Sequence, residues 1–196
     1  MDKDLEYRHY PTELRAIEED SRVVEGYAAV FNSDSADMGF TERIMPGAFD
    51  GVIDKSDVLA LMNHDVKRGV LARSKYGEGS LELTIDEQGL RYRFEAPKTA
   101  LGDELLENIR RGEVDSSSFA FTIDQEEWKN VGTATDEKWE RTIIKVRALY
   151  DVSPVYTPAY PATSCGTRAL DSLEAHKEQL RAEAQLKALK ELENKY

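Results

Sequence analysis

Three histidines and a single cysteine bound the nucleophilic and metal chemistry open to this chain. His64 stands apart from the other two. It closes the apolar run of LALMNHDVKRGVLARS (residues 59–74), with Asn63 before it and Asp65 after it. An imidazole titrates near neutrality, so one placed at a strand end is suited to general base work. It is equally suited to simple packing. His9 lies in a polar N-terminal stretch and His176 in a charged C-terminal one, and both read as solvated surface residues. No second His or Cys lies at ligand spacing from His64, so no metal site and no cofactor are expected. Cys165 sits in a Pro/Gly/Ser-rich stretch with no activating neighbour in sequence and reads as an incidental thiol.

The second unusual feature is the serine run of DSSSFAF. Three consecutive serines usually mark a turn, because their hydroxyls compete for backbone hydrogen bonds. Here Phe119 and Phe121 follow at strand spacing. Alternation puts Ser117 on the phenylalanine face and Ser118 on the opposite one. If the rings enter the core, Ser118 points outward into a cleft. A serine hydroxyl becomes a nucleophile when a base takes its proton, and a third group must orient that base. Asp151, in LYDVSPV, ends another strand and has the chemistry for the third role. Sequence spacing alone does not assemble these three.

The elements that would position them follow from periodicity. Residues 22–31 (RVVEGYAAVF) read as a strand, and 57–65 as a buried strand ending at His64. Residues 40–53 start extended, and Pro46 then opens a short helix carrying Ala48, Phe49 and Ile53. The alternation in 79–97, broken at Glu87-Gln88-Gly89, predicts a hairpin. Leu105, Leu106 and Ile109 form a helical stripe over 99–114, with Gly112 as its stop. Residues 115–128 and 139–155 return to strand, separated by a loop. The expected fold is α+β, mainly β: a closed or nearly closed β-barrel with helices outside it.

After Pro154, Pro158 and Pro161 the composition changes. Residues 169–196 lack Gly and Pro and are rich in Ala, Leu, Glu and Lys. Asp171 with Glu174 resembles a capping box. Leu170, Leu173, Leu180 and Ala184, then Leu186, Leu189 and Leu192, make a narrow stripe with a phase shift, as in an exposed helix that gains by pairing. The expected division is a barrel domain over 1–163 and a linker with an amphipathic helix over 164–196.

The totals narrow the class further. With 196 residues, 33% of them charged, and a net charge of -12, the chain is expected to be a globular protein that binds neither nucleic acid nor a membrane surface. No apolar run approaches the roughly 20 residues of a membrane span. The N-terminus is charged from its start and does not read as a signal or transit peptide. One cysteine permits no internal disulfide, and a reducing, intracellular setting is expected.

Five phrases occur in a recognisable order: ERIMPGAFD, ALMNHDVKRGVLARS, DEQGLRYRFEAP, LLENIRRGEVDSSSFAF and LYDVSPVYTPAYPAT. From about Gly26 to Thr163 the chain resembles the tailed-phage prohead proteases of the HK97 type, relatives of the herpesvirus assembly proteases. The resemblance implies a serine peptidase on a closed β-barrel of about seven strands surrounded by helices. It implies a catalytic histidine in the NHD phrase and a serine just before a Phe-Gly-Phe phrase, which fall on His64 and Ser118. The acid before VSPV falls on Asp151 as third member. Two departures stand out: Ala120 replaces the family's frequent Gly, and Asp151 is shorter than the common Glu. The oxyanion donors are expected to be backbone N–H groups, with Arg73 and Arg147 as candidate contributors. The substrates implied are the scaffolding segment of the major capsid protein and the protease itself, cut inside the prohead in the host cytoplasm, with a homo-oligomer as one candidate state. The rival reading is a non-catalytic scaffolding or docking protein of the prohead, and the C-terminal helix is the feature that favours it.

Overall fold

Strand alternation dominates the chain, and most of the strands it predicts form. The strand expected over 57–65 stops at Ala60, because Asn63 and His64 take φ of 59° and turn the chain, so His64 lies beyond the strand rather than at its end. The computed structural model describes residues 5–10, 15–16, 21–133, 135–156 and 162–193. In chain order, β1 (Glu6–Tyr10) and β2 (Arg15–Ala16) precede β3 (Val23–Val30) and β4 (Thr41–Ile44). Then come β5 (Asp57–Ala60), β6 (Ala72–Lys75), β7 (Glu78–Gly79) and the hairpin of β8 (Leu81–Ile85) with β9 (Gly89–Glu95). Helix α1 (Ala100–Arg110) is capped by Thr99 and leads into two long strands, β10 (Val114–Asn130) and β11 (Trp139–Tyr156). Helix α2 (Ala162–Glu193) ends the described chain.

The fold is α+β and mainly β, built as two sheets. The larger runs β1-β10-β11-β5-β6-β7, with β4 also on β11. Both β4 and β5 run parallel to β11: β4 lies against its start at Glu140–Ile143, and β5 against Asp151–Val152. The smaller sheet runs β2-β3-β9-β8. Their inner faces share one core, in which Tyr92 and Phe94 of β9 meet Phe119 and Phe121 of β10, Val152 of β11, and Leu105 and Leu106 of α1.

The expected closed barrel is not a continuous hydrogen-bonded ring among the described residues. The edges of the two sheets do approach, β1 near β3 at one seam and β6 and β7 near β8 at the other. The chain changes sheets between β7 and β8. Gly79 there has φ of 142°, and a side chain on it would meet the Arg73 carbonyl at 2.1 Å. A tight corner of this kind turns the strand from one sheet to the next and breaks the ladder.

Two helix expectations also change. Residues 46–52 form turns, followed by a 3-10 turn at Ile53–Lys55, because Gly47 and Gly51 take φ of 84° and 68°, which no helix contains. Ala48, Phe49 and Val52 are buried all the same. Helix α2 starts at Ala162, inside the stretch read as linker, so Asp171 and Glu174 are interior to it rather than a capping box. Ala169 and Leu173 pack against Phe40, Trp128 and Trp139 in a second apolar cluster on the β10–β11 arm.

A buried ionic lattice ties β1 to the larger sheet. Arg8 pairs with Glu6 and Glu42, and Arg141 bridges Glu6, Glu42 and Glu126. Arg141 is only 2% exposed. Burying four of these five charges, with Glu126 partly exposed, is tolerable because the guanidinium N–H groups meet carboxylates and, at Arg8 Nη1, the Tyr7 carbonyl. The lattice fixes the edge strand that borders the serine run.

Candidate active site

Ser118 is placed by strand alternation. Phe119 and Phe121 enter the core, and Ser117 turns inward with them to meet the Tyr92 hydroxyl at 2.8 Å. Ser118 therefore faces the other way, as its register predicts. Two rungs of the sheet define that outer face. His9, Ser118 and Ser153 are partners across β1, β10 and β11, and Tyr7, Ala120 and Asp151 form the next rung. Just beyond it the register slips: Ala120 pairs Asp151, but Phe121 pairs Leu149. A bulge at this point re-aims Asp151 relative to a regular ladder.

His64 reaches this face from the loop after β5. That strand lies beside β11, with Leu59 opposite Asp151. The chain then turns sharply, with Asp65 N–H donating to the Met62 carbonyl at 3.1 Å. Asn63 and His64, the two central residues, both have φ of 59°. Two successive positive φ values are the mark of a mirror-image turn and a strained one for side-chain-bearing residues. The turn is held by the Asn63 N–H on the Pro154 carbonyl and by Asp65, whose side chain caps the following 3-10 turn at Val66–Arg68.

The three residues meet as a linear relay. His64 Nε2 is 2.7 Å from Ser118 Oγ, and His64 Nδ1 is 2.6 Å from Asp151 Oδ1. They come from positions 54 and 87 residues apart in the chain. Ser118 and Asp151 are buried, and the imidazole is partly open. Tyr7 stands edge-on to the imidazole, ring centres 4.8 Å apart. Ser118 Oγ also lies 2.8 Å from the Arg8 carbonyl oxygen. The hydroxyl has one proton to give. With Nδ1–H donated to Asp151, a neutral His64 offers its Nε2 lone pair to that proton. With His64 charged, Nε2–H donates to Oγ and the hydroxyl turns to the Arg8 carbonyl. The arrangement can deprotonate the serine and hold the imidazolium that results.

A sequence profile of the Caudovirus prohead serine proteases matches residues 10–179. The chain belongs to this family. This prohead protease is a serine peptidase of phage capsid maturation, acting in the assembling capsid. In structure it is similar to the bacteriophage T4 capsid assembly protease, with 12% identity and a TM-score of 0.44 over 79% of this chain and 96% of that one. No curated protein sequence matches it.

The remaining expectations divide. Arg73 is tied to Asp57, and Arg147 lies 3.9 Å from Asp124, so each already has a carboxylate partner. Among the described residues no group of three metal-binding side chains gathers, and no helix is long and apolar enough to cross a membrane. Cys165 lies in α2, outside the residues whose side chains are described. The sequence reading missed β1. His9, taken as solvated, is the rung partner of Ser118; burial, eased by Asp115, opposes its charging and sets its pKa below the ordinary imidazole value. The alternation of EYRHY was the available signal: Glu6 and Arg8 turn in to the lattice while Tyr7 and His9 share the rungs of the outer face.

Proposed function

We propose that Ser118 is the nucleophile, His64 the general base and Asp151 the group that orients it. The observation that carries the reading is the pair of contacts, 2.7 Å and 2.6 Å, that link the three side chains through the two imidazole nitrogens. Ser118 Oγ attacks a peptide carbonyl while Nε2 takes its proton. The new imidazolium is held by Asp151 and gives the proton to the leaving amine. Water then repeats the sequence and releases the acyl group. Backbone N–H groups steady the oxyanion.

The substrates in this reading are the scaffolding segment of the major capsid protein and the protease's own chain, cut in the prohead within the host cytoplasm. The catalytic unit is residues 1–163, with its two sheets serving as a barrel whose seams are closed by packing. Residues 164–196 serve assembly: beyond Glu178 helix α2 carries Leu180, Leu186 and Leu189 on an exposed surface. The test is co-expression with the cognate major capsid protein, followed by intact mass. Ser118→Ala is expected to leave the coat subunit at full length. Normal coat processing by that variant would favour the scaffolding reading and end this one.

A further inference from the structure

Asp151 reaches His64 through a side chain with two rotatable bonds, so something must hold it in the productive rotamer. Ser153 is two residues along β11 and therefore on the same face. Its hydroxyl donates to Asp151 Oδ1 at 2.7 Å, the same oxygen that meets His64 Nδ1. Ser153 is 0% exposed and is also the cross-strand partner of Ser118. It thus lies beside the nucleophile on one side and the acid on the other. A buried hydroxyl has a single proton, and this one is committed to the carboxylate. We propose that Ser153 is a positioning residue of the proteolytic site, fixing Asp151 so that Asp151 can orient His64. The inference rests on the Ser118–His64–Asp151 reading.

A hydrogen bond to a charged group is among the stronger ones, and its loss here would free the carboxylate to rotate away from Nδ1. The effect should pass through Asp151 alone. Diisopropyl fluorophosphate reads it without a known substrate. Ser118 Oγ forms a bond to phosphorus, fluoride leaves, and the hydroxyl proton passes to His64. The second-order labelling rate is followed by intact mass on the full chain. Ser153→Ala is expected to label ~10-fold more slowly or worse, and Ser153→Thr, which restores a hydroxyl, to recover most of the rate. In an Asp151→Ala background the Ser153→Ala change should cost nothing more, because residues acting as one unit are not additive. Labelling of Ser153→Ala at the full rate overturns the inference while leaving the triad in place. So does an equal loss in the Asp151→Ala background, which would mark a general packing defect. If Ser153→Ala does not fold, Ser153→Thr and Ser153→Val differ only in the hydroxyl, and equal rates for the two overturn it. Undiminished labelling of Ser118→Ala overturns the triad itself, and with it the role of Ser153.

Discussion

His64 sits in a strained turn, and the strain has a purpose: a residue in ordinary strand conformation after β5 would continue along the sheet rather than fold back over Ser118. Asn63 tolerates positive φ because its short polar side chain accommodates that region. Asn63→Val should therefore cost about 1–2 kcal/mol of stability and lower the proteolytic rate by misplacing the imidazole. Chemical denaturation with a parallel activity assay checks both, and an unchanged rate would show that the turn does not set the geometry. At this scale the sequence was partly legible. His64 and Ser118 were singled out by an apolar run ending in NHD and by two phenylalanines at strand spacing. Ser153 and His9 were not, because a buried donor to a carboxylate and a cross-strand neighbour are defined by register, which no local pattern prints.

At the scale of elements, the strands and α1 were readable because each has one dry face and one wet face. The two departures, the unwound helix and the interrupted ladder, share a cause in special backbone positions. Gly47 and Gly51 unwind the expected helix, and Gly79 turns the chain between sheets. Helix α2 differs only in part. Its narrow stripe predicts an exposed helix, and most of it is exposed, yet one turn, at Ala169 and Leu173, covers Trp128 and Trp139. Ser172 bonds Glu126 and Trp128 there, and Lys177 reaches Glu137. A chain ending at Arg168 loses those contacts. Burying one leucine-sized side chain is worth about 1.5–3 kcal/mol, so its melting temperature should fall by roughly 5–10 °C. A chain ending at Glu178 should melt within about 2 °C of the full one, since what it lacks is largely exposed. Calorimetry on the two decides. Equal melting points would mean that the tryptophan cluster does not depend on the helix.

For the molecule as a whole, the ionic lattice joins β1, β4, β10 and β11 into the frame behind the site. The EYRHY alternation puts Glu6 and Arg8 on one face, but no local pattern joins them to Glu42, Glu126 and Arg141, which come from other strands. Arg141→Met leaves Glu6 and Glu42 to share the Arg8 guanidinium and takes the guanidinium partner from Glu126, and should destabilise the protein by about 3–5 kcal/mol. The lattice also sets an acid response. Burial alone would raise the Glu6 carboxyl, but hydrogen bonds from Arg141 and the charge of Arg8 hold it below its ordinary value of 4.5. A depressed carboxylate stabilises the fold above its unfolded value and stops doing so as pH falls through the folded one. The stability gap between the wild type and Glu6→Gln should therefore be widest above pH ~5 and close as the solution is acidified below it. A gap that widens in acid would contradict the assignment. The frame matters because of what it holds, and the central claim is that Ser118 is the activated nucleophile. The most direct measurement is peptide mapping after reaction with a fluorophosphonate. The account predicts a single adduct on Ser118, lost in His64→Ala and retained in Ser117→Ala, whose substitution disturbs only the Tyr92 contact. An adduct on Ser116 or Ser117, or labelling of Ser118 that His64→Ala leaves undiminished, would contradict it.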